Sequence, residues 1–197
     1  DAACQRLRAA ARIQAEQRER GWRIVCGEYR LGDGRGVRFH GTAVRGTVDR
    51  IDRHDGTGRL RVLDYKTSEK AATPAQQHLA GVPAGTRDAE DPLQARCDLG
   101  DKPRRWADLQ LPLYMILLRE SFGPLTECGY FALPKAVTET AVLTWDELTP
   151  ELLASAERCA AACVEAIQRG RFWPPAERLP YDDFAELFHG TVADSID

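Results

Sequence analysis

The sequence predicts a mixed α/β protein, and three observations carry that expectation. An arginine-rich helical stretch opens the chain, three β-rich runs separated by Gly- and Asp-containing turns follow it, and helical patterning returns only afterwards. Two further strand-like runs and a last helix complete an expected order of α-β-β-β-α-β-β-α. A length of 197 residues suits one substantial core, so a single domain is expected, and 43% hydrophobic with 29% charged residues is an ordinary water-soluble composition. No apolar run reaches bilayer-spanning length and no secretory signal opens the chain, so a membrane role is excluded and a cytoplasmic location expected. The net charge of −3 gives no whole-protein basic field, so any nucleic-acid contact has to come from local patches. The chain begins at Asp1 and its one methionine is Met115, which suggests a domain excised from a longer protein.

The N-terminal helix ends at Gly21, and Trp22-Arg23-Ile24-Val25-Cys26 leads into Glu28 and Tyr29 as a first strand. The turn residues of LGDGRG then send residues 37–51 back as a second strand, and HDGTG reverses the chain into a third, residues 59–66. Short turns between three strands make an antiparallel meander, which brings Asp49 and Asp64 onto neighbouring strands. Residues 68–105 lose all periodicity among Pro74, Pro83, Pro92, Pro103 and several glycines, and read as a long irregular loop insertion. Helical pattern resumes over residues 106–119, with Gln110 and Tyr114 four apart on one face and Pro112 tolerable only in a first turn. Residues 128–133 and 138–145 read as the fourth and fifth strands. Thr149 as N-cap, Pro150 at the first position and Gly170 at the end frame the last helix. In the tail, Phe184, Leu187 and Phe188 are expected to pack back on the body.

Leu63-Asp64-Tyr65-Lys66-Thr67 concentrates the chemistry. Strand alternation puts Asp64 and Lys66 on one face, and partly burying such a pair costs free energy unless a metal, a hydrogen-bond network or a phosphate compensates it. With Asp49 on the adjacent strand, two carboxylates and a lysine suit metal-assisted phosphodiester hydrolysis. Alone, a D-x-K triplet is equally an exposed salt bridge. Asp52 falls on the other face from Asp49 and reads as a strand-end residue pairing with Arg50 or Arg53. His40, His54, His78 and His189 read as loop or surface residues, and Trp106 and Trp173 as core or helix-docking side chains. Tyr114 either fills the core or lines the site. The cysteines Cys4, Cys26, Cys97, Cys128, Cys159 and Cys163 are scattered with no CxxC; Cys159 and Cys163, four apart on a helix, have a spacing that could share a metal but is more often two small apolar residues on one face, and no disulfides are expected.

Three motifs in order, Gly46-Thr47-Val48-Asp49-Arg50-Ile51-Asp52, Val62-Leu63-Asp64-Tyr65-Lys66-Thr67 and Asp108-Leu109-Gln110-Leu111-Pro112-Leu113-Tyr114, resemble the RecB-like branch of the PD-(D/E)XK nuclease superfamily. The likeness covers residues 21–173 and is closest to the C-terminal nuclease domains of AddB-type exonucleases. It implies a restriction-endonuclease-like αβββαβ core with a central mixed sheet flanked by helices. It also implies catalytic roles for Asp49, Asp64, Lys66, Gln110 and Tyr114, and metal ligation by Asp49, Asp64, the Tyr65 backbone carbonyl and Glu28, whose match is to a first-strand glutamate. Mg2+ would be the ion, with Mn2+ as substitute. Two departures stand out: the N-terminal helix carries no histidine, and no cysteine trio follows the last helix, so no iron–sulfur cluster is expected.

The expected activity is a Mg-dependent deoxyribonuclease, exonuclease rather than endonuclease, acting on DNA ends or single strands in repair or recombination. Its expected partners are DNA and a helicase or other domain of the same or a partner chain. Arg12, Arg18, Lys70, Arg104 and Arg105, with Arg96 and Lys102, are the candidate strand contacts. The alternatives are a catalytically silent module that binds DNA or docks a partner, and a defence or CRISPR-adaptation nuclease.

Overall fold

The computed structural model describes residues 2–82 and 90–171. Helix α1 (Ala2–Glu19) leads into strand β1 (Trp22–Arg30), and a 3-10 turn at Leu31–Gly34 precedes a short hairpin of β2 (Val37–Phe39) and β3 (Thr42–Val44). Strands β4 (Thr47–His54) and β5 (Leu60–Lys66) follow, then α2 (Pro74–His78), β6 (Leu79–Gly81), β7 (Arg96–Leu99) and β8 (Lys102–Trp106). Helices α3 (Gln110–Leu117) and α4 (Arg119–Phe122), strands β9 (Glu127–Ala132) and β10 (Ala141–Thr144), and helix α5 (Pro150–Gln168) complete the described chain. The central sheet has five strands in the order β1-β4-β5-β9-β10. Its first three strands form the antiparallel meander, whereas β5 and β9 run parallel. A parallel neighbour needs a crossover, and α3 lies on it. The mixed sheet with helices is the architecture the sequence implied.

Several expectations are corrected. Residues 37–51 are not one strand, because His40 and Gly41 both take positive φ, 45° and 81°, between the paired Phe39 and Thr42. Two left-handed residues make a tight hairpin whose twist matches its flanking strands, so β4 starts only at Thr47. The insertion at 68–105 is not wholly irregular: Thr73 caps α2 reciprocally with Gln76, Pro74 sits at the helix start, and β6-β8-β7 form a small antiparallel sheet. Trp106 ends β8 rather than opening a helix. α3 begins at Gln110, which leaves Pro112 in the first turn, where its missing N–H costs nothing. The strand expected over 138–145 narrows to Ala141–Thr144 behind a 3-10 turn at Val137–Glu139. Phe184, Leu187, Phe188, Trp173 and His189 lie outside the described residues.

The main core lies between the sheet and α3 and α5. Ile51, Val62, Cys128 and Tyr130 pack there with Leu111, Met115, Leu152, Ala156 and Cys159. Trp106 joins them, its Nε1 donating to Ser155 Oγ at 3.1 Å. Gly129 on β9 is required by proximity, since a Cβ there would stand 2.2 Å from the Leu143 carbonyl oxygen. α5 carries the expected caps: Thr149 accepts from Leu152 N, and Gly170 turns left-handed just past the end, at φ 65°. Among the described residues no helix is long and apolar enough to cross a membrane.

The opposite face of the sheet hides an ionic cluster. Asp52 is 0% exposed and mid-strand, not a strand-end residue, and Arg50 and Arg61 beside it are each 2% exposed. Arg50 grips both its carboxylate oxygens at 2.6 and 2.8 Å, while Arg61 donates to Oδ2 at 2.8 and 3.0 Å. Arg61 is the residue directly across from Asp52 on β5, so the hairpin register, and not Arg53, supplies its second partner. Gln14 of α1 accepts from Arg50 Nη1 at 2.6 Å, and the Trp22 ring lies 4.0 Å from the Arg61 guanidinium. These contacts fasten α1 to that face. Replacing Asp52 with Ala strands two buried guanidinium groups, so Asp52→Ala should lose about 3–5 kcal/mol in chemical denaturation. Exposed Arg53→Ala should change the midpoint little.

Candidate active site

Asp49 and Asp64 meet because of the turn after β4. His54 N donates to Arg59 O and Gly58 N to His54 O, both at 2.8 Å, and His54 Nδ1 also accepts from the Gly56 and Thr57 amides. That turn fixes Arg50 against Leu63 and Ile51 against Val62, a register that carries Asp49 alongside Asp64. One Asp49 oxygen then accepts the backbone N–H of Tyr65 at 2.8 Å.

Asp64 is 4% exposed, and its two oxygens have different partners. Lys66 Nζ stands 2.8 Å from Oδ2, and Gln110 Nε2 donates to Oδ1 at 3.0 Å. Gln110 Oε1 in turn accepts from Lys66 Nζ at 2.9 Å, so the amide closes a ring with both charges. Its Nε2 also donates to Tyr114 OH at 3.1 Å, and Tyr114 passes its own proton to the Thr47 carbonyl at 3.1 Å. The amide orientation is dictated by charge, since turning it over would point its oxygen at a carboxylate and its NH2 at an ammonium. Lys66, Gln110 and Tyr114 therefore each donate along a chain that ends at the Thr47 carbonyl.

The charges do not cancel. The site has two carboxylates and one ammonium, which bonds to Asp64; burial raises the Asp64 carboxyl above its ordinary value, Lys66 pulls it partly back, and Asp49 and Asp108 push it up again. Burial raises the Tyr114 hydroxyl as well, with Gln110 opposing it. Lys66 also lies 5.2 Å over the Tyr130 ring, which faces Asp64 in the β5–β9 register. Hard oxygen donors from two adjacent strands, short of positive charge, fit a small divalent cation.

Asp49, Asp64, Lys66, Gln110 and Tyr114 thus come together, and Tyr65 contributes backbone next to Asp49. Glu28 does not join them. It sits on β1 between the partners of Arg50 and Val48, but is exposed with φ 50°, and among the described residues no group of three His, Cys, Asp or Glu side chains gathers around a metal position. Arg12 and Arg18 are exposed on α1, which covers the Arg50 face, whereas the site opens on the α3 face. Lys70 is exposed just beyond β5; Arg96 and Arg105 pair directly across β7 and β8, with Arg104 and Lys102 beside them. Sequence reasoning missed His78, which is 0% exposed rather than a loop or surface residue. Its signal was the Thr73–Gln76 capping box, which makes the preceding residues a helix and lets His78 turn inward.

No curated protein sequence matches the chain. Residues 1–178 match the PD-(D/E)XK nuclease superfamily. That match spans the meander, the Asp64–Lys66 strand and the Gln110–Tyr114 helix, and by it the chain belongs to the PD-(D/E)XK nuclease superfamily.

Proposed function

We propose that this chain is a metal-dependent deoxyribonuclease resembling the AddB-type, RecB-like branch, an exonuclease acting on DNA ends or single strands in repair or recombination. The observation that carries the reading is the charge-deficient trio of Asp49, Asp64 and Lys66 held by Gln110 and Tyr114. Nucleases of this superfamily generally use divalent metal ions. Asp49, Asp64 and the Tyr65 carbonyl would hold Mg2+, or Mn2+ in its place. A bound divalent ion supplies Lewis-acid stabilisation of phosphoryl oxygens.

The residues of the chain do the rest. Lys66 presents its ammonium to the phosphate and to the attacking water, offsetting the negative charge that builds as water oxygen bonds to phosphorus and the bridging P–O bond breaks. Gln110 keeps Lys66 from collapsing wholly onto Asp64 by sharing its protons. Tyr114 anchors that amide to β4. Lys70, Arg96, Lys102, Arg104 and Arg105, clustered in and near the insertion, would contact the strand. Six cysteines without a disulfide suit a reducing compartment such as the cytoplasm, where a helicase or other domain would deliver the DNA.

End-labelled single- and double-stranded DNA should be cut with Mg2+ or Mn2+ and left intact with chelator. Asp64→Ala and Lys66→Ala should each lower kcat at least about a hundredfold while the protein stays folded by circular dichroism. Cleavage that ignores metal, or both variants working normally, removes the mechanism.

Protons and cations compete for Asp64. Because its carboxyl is raised above the ordinary 3.8, Mn2+ binding followed by calorimetry should weaken with falling pH before pH 3.8 is reached, and strengthen as pH rises. Arg104→Ala and Arg105→Ala should each weaken DNA binding similarly across sequences and lower the slope of log K against log salt by about 0.9 on duplex. An unchanged slope would place the strand elsewhere.

A further inference from the structure

His78 closes α2 at the inner end of the insertion, and its backbone oxygen and both ring nitrogens reach the start of α3 or β9. Its backbone oxygen accepts from the Ala107 and Asp108 amides at 2.8 and 3.4 Å. Its Nδ1 lies 2.9 Å from the Asp108 carbonyl and its Nε2 lies 2.8 Å from Tyr130 OH. A carbonyl only accepts, so Nδ1 carries the proton and Nε2 takes one from Tyr130. Burial keeps the ring neutral by lowering its pKa, against the pull of Asp108. The ring is stacked between Tyr130 and Trp145, with centroids 6.0 and 5.0 Å away.

Both tethers end at the active pair. Asp108, held through its carbonyl, uses Oδ1 to accept Gln110 N at 2.6 Å, and this sets where α3 begins, since Leu109 supplies no side-chain cap. Tyr130, held through its hydroxyl, is the ring under Lys66. We propose that His78 is a positioning residue: through Asp108 and Tyr130 it aligns Gln110 and Lys66, so that the amide stays bridged between Lys66 and Asp64. The role rests on the nuclease reading for its purpose but not for its geometry. It also gives the capped turn after β5 a task, which is to couple the insertion to the site.

The test measures hydrogen exchange of the Gln110 side-chain amide by NMR in metal-free, 15N-labelled protein, alongside the backbone amides of Ile51 and Val62 as a folding control. His78→Phe keeps a stacked ring and deletes both tethers, and should speed Gln110 exchange at least about tenfold with the control amides still protected. His78→Asn places an amide nitrogen where Nδ1 stands, keeping the Asp108 tether and losing the Tyr130 one, and should accelerate exchange by about threefold, well short of His78→Phe. Tyr130→Phe removes only the hydroxyl and should give an intermediate acceleration of about threefold or more. In DNA cleavage the same series should order kcat while KM moves less than about threefold, with His78→Asn falling between His78→Phe and the unsubstituted protein.

Unchanged Gln110 exchange in folded His78→Phe overturns the proposal, as does His78→Asn behaving no better than His78→Phe. Should His78→Phe lose the control amides, Tyr130→Phe decides, and unaltered exchange there overturns the role. The exchange measurement needs neither metal nor DNA. Absence of metal-dependent cleavage in the unsubstituted protein therefore strikes the nuclease reading and leaves the positioning result standing.

Discussion

The two-residue period of the β4–β5 hairpin sends one set of charges to each side of a single sheet, and the rest of the structure answers to that division. On the α1 side Asp52 meets two guanidinium groups, and every oxygen of its carboxylate is taken. On the α3 side Asp64 meets one ammonium, and Asp49 beside it meets only the Tyr65 backbone N–H. The fully buried Asp52 cluster carries a desolvation cost on the order of several kcal/mol per ion, whereas in the second only Asp64 is buried and Lys66 reaches solvent. The first is closed by the protein's own cations and has no use for a further one. The second is short of positive charge, and a cation is what would complete it. A one-residue slip of β4 against β5 would turn β4 over, placing Asp52 beside α3 and Asp49 beneath α1, on the opposite face from Asp64.

What fixes the register is therefore as consequential as what lines the site. The His54 turn sets it at one end, and at the other the Tyr65 N–H on Asp49 makes a ladder-like contact through a side chain. The Asp52 cluster guards it in between. Moving Asp52 out of line with Arg61 would leave buried charges unpaired, so the structural cluster makes slippage costly and protects the geometry of the polar site behind it. A buried ion cluster of this kind contributes specificity even where its net contribution to stability is small.

The gathering of the candidate site was legible from sequence because its signals are local: a charged pair inside an apolar strand, a second acid one turn away, and Gln110 and Tyr114 at helical spacing. The meander was legible for the same reason. Asp52 was misjudged because its second partner, Arg61, is brought to it by pairing and not by proximity in the chain. The hairpin at His40-Gly41 was overlooked because strands of three residues are too short to show a period, and a histidine is an unusual occupant of a left-handed turn position. Strands β6 to β8 hid for a related reason: they are three to five residues long, and a sequence such as KPRRW buries only its last residue, so no hydrophobic alternation marks them. His78 was misplaced because the Tyr130 and Trp145 rings packed against it arrive from distant segments.

Gln110 joins these strands of argument. A neutral amide between a carboxylate and an ammonium has one low-energy orientation, and that orientation leaves Nε2 free to reach Tyr114 and, through it, the Thr47 carbonyl. A carboxylate at the same position would bind Lys66 but repel Asp64, and an aliphatic side chain would let Lys66 fall entirely onto Asp64 and cancel the charge that a phosphate and a metal ion both need to meet. The amide holds the ion pair together without neutralising it further, so Asp64 stays available to a cation and Lys66 to an anion. Such a divided pair functions only if the amide is held to a fraction of an ångström, which is why a helix start fastened from beneath, by a histidine on an insertion, bears on chemistry at the surface of the sheet.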